Sequence, residues 1–91
     1  MDHLPLEKQE RTLVFVLYSI HNVMKAEKVL RSQEVLFDTI PVPKEISADC
    51  GMAILVACDN RKRVRKMLEN SGIDIKGIYL RTCGRYEKEN D

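Results

Sequence analysis

An α+β sandwich with the element order βαββαβ is the fold class this sequence predicts, and three observations predict it. Four short runs rich in β-branched and aromatic residues are separated by two amphipathic stretches and a proline-containing loop. Both amphipathic stretches carry a helix start signal. Pro41, Pro43 and Gly72 fall where elements should end. At 91 residues the chain is long enough for one domain and leaves little room for a second.

Residues 1–11 are polar and aperiodic and read as a flexible N-terminal arm before a single domain over 12–81. Leu13 to Tyr18 is apolar at alternate and intervening positions alike, the pattern of a strand buried on both faces. Ser19 then offers an N-cap hydroxyl to a helix starting near Ile20, whose apolar stripe is Ile20, Val23, Met24, Ala26 and Leu30. Val35 to Ile40 reads as the second strand, ended by Pro41 and Pro43 because proline has no N–H for a ladder. Met52 to Ala57 is the third strand. Asp59 or Asn60 caps a second helix with Val64, Met67 and Leu68 inward, and Gly72 stops it. Ile73 to Leu80 is the last strand, interrupted or bulged at Gly77. Residues 82–91 read as a flexible polar tail.

This succession is that of the ferredoxin-like sandwich, with two helices on one face of a four-stranded antiparallel sheet. If strand one runs up, helix one returns down and strand two runs up beside strand one. The loop between strands two and three then lies at the top, by the start of helix one. Cys50 is thereby grouped with Ser19, Ile20 and His21, while Cys58 and Cys83 gather at the bottom. Strands one and three do not alternate, so the sheet face without helices is expected to pack against a second copy, giving a homodimer.

Composition narrows the function classes. A formal charge of +1 argues against bulk attraction to nucleic acid or anionic lipid. No apolar run approaches the roughly 20 residues that span a bilayer, and the N-terminus lacks a signal-peptide core. Three cysteines form no framework spacing, so reduced thiols and a cytoplasmic location are expected.

The site-like feature is the loop Pro41-Val-Pro-Lys-Glu-Ile-Ser-Ala-Asp-Cys50-Gly51. A reactive thiol needs access and an electropositive neighbourhood. Pro41 and Pro43 stiffen the loop, Gly51 permits close approach, Lys44 adds charge, and the helix-one N-terminus adds partial positive charge. Asp49 opposes a thiolate. A cysteine that merely packs under the loop is the other reading of the same residues.

Tyr18-Ser19, Ala26-Glu27, Leu30, Ile40-Pro41-Val42-Pro43, Ile46-Ser47 and Cys50-Gly51-x-Ala53 together resemble the selenium/sulfur carrier-like family, from about strand one to strand four. The most specific part is Pro-Val-Pro-basic-Glu-Ile-Ser-x-x-Cys-Gly. The resemblance implies that Cys50 is the chalcogen-bearing residue, and that Ser19, Glu27, Ser47 and Gly51 surround it or shape its loop. It also implies a sulfur or selenium donor protein and an acceptor protein. Lys44 stands where the family usually has arginine, which keeps the charge and loses the planar fork.

Other residues admit two readings each. Glu27 falls inside the apolar arc of helix one, as a buried proton-exchanging carboxylate or an i,i+4 partner of Arg31. His21, in the first helical turn, could act as a base or orient an anion, or be a plain surface residue. Arg61, Lys62 and Arg65 crowd the start of helix two as an anion or partner patch, or as a solvated face. Cys58 is expected to have its pKa lowered by that cluster. No metal is expected, since no CxxC pair exists and Cys50 lies away from Cys58 and Cys83. No catalytic triad order, Walker loop or Rossmann pattern is present.

The leading expectation is a non-catalytic carrier without a resident cofactor, holding a persulfide or selenosulfide on Cys50. The alternatives are a dimeric module that binds a small anion or metabolite without thiol chemistry, and a weak nucleic-acid binder through helix two.

Overall fold

The computed structural model describes residues 5–47 and 51–89. The chain forms β1 (Arg11–Leu17), α1 (Ile20–Ser32), β2 (Phe37–Pro41), β3 (Met52–Ala57), α2 (Arg61–Asn70), β4 (Ile75–Thr82) and β5 (Arg85–Lys88). All five strands join one antiparallel sheet in the order β2-β3-β1-β4-β5. The fold is α+β with two helices, and the sheet has five strands where four were expected. β2 runs parallel to β1 but not beside it, because β3 pairs with both and lies between them.

The fifth strand occupies residues expected to form a polar tail. Cys83 (φ 49°) and Gly84 (φ 81°) both have positive φ, as the tight primed hairpin turns require, and this turn folds β5 back on β4. Glycine adopts that conformation without strain; Cys83 does so at some cost.

Ser19 caps α1 as expected, its hydroxyl oxygen accepting from the Asn22 N–H at 3.1 Å. α1 ends with Glu34 in the left-handed region (φ 56°), where Val35 N–H reaches the Leu30 carbonyl and Glu34 N–H the Arg31 carbonyl. That motif withdraws Val35 from the strand predicted for it and buries it against the helices, so β2 begins two residues later.

The alternate residues of β1 split the sheet into two apolar faces. Leu13, Phe15 and Leu17 face the helices and pack with Val23, Leu30, Ile54 and Leu68. Val14 and Val16, with Ala53 and Leu55, form a second cluster on the opposite face. The short 3₁₀ turn Leu6–Lys8 places Leu6, 2% exposed, in that cluster, and Ile46 and Val42 join it from the β2–β3 loop. Arg81 ties this turn down, donating to Thr12 Oγ1 at 3.3 Å and to the Glu7 carbonyl at 2.8 Å. Burying a leucine is worth roughly 1.5–3 kcal/mol. The central residues of the face expected to meet a second copy are thus buried within the chain, partly by residues expected to form a loose arm. No helix among the described residues is long and apolar enough to cross a membrane.

Candidate functional site

β1 ends, α1 starts, β4 starts and the β2–β3 loop turns at one end of the sheet. Cys50 lies outside the described residues, so its loop is defined by its flanks. Val42 N–H donates to the Gly51 carbonyl at 2.9 Å, which extends the β2–β3 ladder one step past Pro41 and pinches the base of the loop. Beyond the pinch, the Pro43 carbonyl accepts from Ile46 N–H at 2.9 Å and Ser47 N–H at 3.1 Å, closing a turn that leaves Lys44 exposed. A Cβ built on Gly51 would meet Val42 Cγ2 at 3.7 Å, an ordinary contact. Packing among the described residues therefore does not explain the glycine.

The flanks wall a cavity of about 280 Å³ together with the start of α1 and the start of β4; Tyr18, Ser19, Ser47, Gly51, Met52 and Lys76 all line it. The structure therefore brings Ser19, Ser47 and Gly51 together, as the sequence grouping expected. Ser19 is engaged by its cap. Asn22 N–H goes to the Ser19 hydroxyl and Val23 N–H to the Ser19 carbonyl. The N–H groups of Ile20 and His21 are those an α-helix leaves over in its first turn.

Lys76 is the residue that sequence reasoning missed. In the β1–β4 pairing Val16 faces Gly77 while Leu17 faces Ile75, so Lys76 is the extra residue of a bulge. A bulge re-aims a side chain out of strict alternation, and here it brings exposed Lys76 onto the cavity wall. The expected interruption at Gly77 was the available signal. Tyr79 packs over this glycine, with Cε1 3.0 Å from where a Cβ would stand.

Two expected site residues lie elsewhere. Glu27 does not line the loop cavity; it is half-buried, accepts a hydrogen bond from the Thr39 hydroxyl of β2, and borders a separate groove. Its expected helical partner Arg31 sits over the Phe37 ring instead, 5.5 Å from the centroid. Two turns of helix carry Glu27 away from the loop end. His21 is exposed and is not on the cavity wall.

The basic start of α2 is largely engaged. Arg61 pairs with Glu89 at 3.1 Å and Arg65 with Glu69 at 3.3 Å, while Arg63 donates to the Gln33 carbonyl at 2.9 Å. Lys62 is exposed. Cys58 and Cys83 are free thiols at the end of the sheet where β1 begins, the first half-buried and the second exposed. Burial pushes the Cys58 thiol up from its ordinary pKa; Arg11 opposes this and Asp59 and Glu89 add to it. The expected lowering is overturned because desolvation, the largest cause, acts together with the two acids against the neighbouring cations.

Residues 12–80 match the family model described as "Putative Se/S carrier protein-like". No curated protein and no solved structure matches the chain.

Proposed function

Because the chain belongs to the Se/S carrier protein-like family, we propose that it is a non-catalytic carrier bearing sulfur or selenium on Cys50. The observation that supports this most directly is the shared cavity. Both described flanks of the Cys50 loop line it with Lys76 and the α1 start, within the span that matches the family.

Loading is a thiol exchange with a persulfide donor. The Cys50 thiolate attacks the outer sulfur of R–S–SH, the donor S–S bond breaks, and R–S⁻ leaves and takes up the proton. The balance is R–S–SH plus Cys50–SH giving Cys50–S–SH plus R–SH, with no added oxidant. Selenium moves in the same way from R–S–SeH. Discharge repeats the exchange with an acceptor thiol. The outer atom is anionic near neutral pH, and a lysine ammonium with first-turn N–H groups favours such an anion. A donor protein and an acceptor protein, in a compartment that keeps thiols reduced, complete the reading.

Intact mass after exposure to excess glutathione persulfide tests it. With Cys58→Ala and Cys83→Ala combined, so that the exposed Cys83 thiol is not counted, one added sulfur is expected on the chain, and none when Cys50→Ser is added to them. Absence of added sulfur on the wild type overturns the carrier reading. A binding module without thiol chemistry would retain anion affinity in Cys50→Ser.

A further inference from the structure

Among the described residues, Tyr18, Ile20, Met24 and Leu36 are the large hydrophobic side chains left exposed, at 64%, 58%, 56% and 58%. Leu36 stands apart, just before β2 at the far end of the sheet. The other three fall together. Tyr18 and Ile20 line the loop cavity, and Met24 follows Ile20 by one helical turn, which puts both side chains on one face of α1. Single exposed hydrophobics are ordinary, whereas a contiguous group at the mouth of a cavity marks an interaction surface. The sequence reading assigned Ile20 and Met24 to the buried stripe of α1, yet Val23, Ala26 and Leu30 alone fill it.

The surroundings carry one sign of charge in excess. Lys25 and Lys28 are exposed on the same outer side of α1, Lys44 is exposed in the loop turn, and Lys76 is exposed across the cavity. Glu45 and Asp74 are exposed acids beside them, and exposed Glu69, which shares a groove with Tyr18 and Lys76, is paired with Arg65. Glu27, the acid of α1, is half-buried and held by Thr39.

We propose that Tyr18, Ile20 and Met24, with this lysine collar, form the docking surface for a protein sulfur donor whose contact surface is apolar at its centre and acidic at its rim. The inference rests on the carrier reading above and names its partner. Exchange brings two sulfur atoms to bonding distance, so a protein that delivers to the loop must cover the residues at the loop's mouth. A small persulfide cannot cover a helix face. A second copy is a poor fit, because a two-fold contact through this patch sets the Lys25 and Lys28 collars against each other.

A cysteine desulfurase, loaded with its own persulfide, is the probe. Its binding to the full chain is measured by titration calorimetry and its sulfur transfer by intact mass, with glutathione persulfide as a small donor in parallel. Ile20→Glu and Met24→Glu, both surface changes, are each expected to weaken desulfurase binding about tenfold or more. Both should slow its transfer comparably, and Met24→Glu, which lies off the cavity wall, should leave loading by glutathione persulfide within about twofold of wild type. Lys25→Glu with Lys28→Glu should weaken binding and flatten its salt dependence.

A wild-type chain that does not bind the desulfurase overturns the proposal. So do variants that bind as well as wild type, or equal slowing of Met24→Glu with both donors. Sedimentation as a dimer that Met24→Glu dissociates would make a second copy the occupant and also overturn it. Wild-type failure to load from glutathione persulfide, with desulfurase binding still lost in Met24→Glu, would sink the carrier reading and leave the docking surface standing.

Discussion

Where β1 finishes, a capped helix start, an exposed lysine on a bulge and two flanks of a pinched loop share one cavity. Where β1 begins, Cys58 lies half-buried between Arg11, Asp59, Glu89 and Arg61, and Cys83 occupies an exposed turn. Both ends hold cations, yet those around Cys58 at the second end do not produce a readily ionised thiol. Burial first, with Asp59 and Glu89 adding to it, pushes the Cys58 pKa up against the pull of Arg11 and Arg61. Arg61 is also occupied by Glu89. Counting cations around a thiol is therefore a poor guide to its reactivity; access to water and the engagement of each cation decide the sign.

The comparison breaks most severely if the bulge that aims Lys76 is not held in place. Gly77→Ala puts a Cβ 3.0 Å from Tyr79 Cε1 in a strand that has already lost its regular register. The expected cost is about 1–3 kcal/mol, read as a lower urea midpoint with an unchanged slope. No change would show that the Tyr79 ring yields freely and that the bulge does not depend on the glycine.

A smaller effect sharpens the role of Ser19. Ser19→Ala should cost about 1 kcal/mol through the lost cap, and Ser19→Gly only a few tenths. The glycine variant separates folding from chemistry. If it keeps stability but loses sulfur uptake, the hydroxyl acts on the bound group; unchanged uptake leaves Ser19 a cap.

Much of this end was legible because local signals and topology agreed. The Ser19 cap, the proline-bounded loop and the interruption at Gly77 are local chemistry, and the order of elements was enough to bring Ser19, Ser47 and Gly51 together. The aim of Lys76 was not legible, since a bulge shows in sequence as a glycine and not as the direction of its neighbour. Ile20 and Met24 sit at helical spacing from the core stripe, and only packing shows that the stripe is already full without them. At the other face, Leu6 lies in a polar stretch without periodicity, and its burial depends on Arg81 reaching back from β4. β5 was hidden for a related reason: Arg85 to Lys88 is mostly charged, and its strand character comes from the Cys83-Gly84 turn and the neighbouring β4 edge. Glu27 was grouped with the loop by resemblance alone, and two turns of helix carry it instead to Thr39.

The smallest effect tests the far end directly. The folded chain holds the Cys58 proton more tightly than the unfolded chain does. Below the unfolded thiol pKa of about 8.5 both states are protonated, and the stabilising contribution is fully present. As pH rises past that value the unfolded thiol ionises first, so stability falls until the folded thiol ionises as well. The urea midpoint of the wild-type chain should therefore decline slightly more steeply into the alkaline range than that of Cys58→Ala. Iodoacetamide labelling of the native chain should modify Cys83 before Cys58, and denaturant should close the gap. Parallel pH curves, or Cys58 labelled as fast as Cys83, would remove the contrast between the two ends. Reactivity at the loop would then have to be explained by exposure alone.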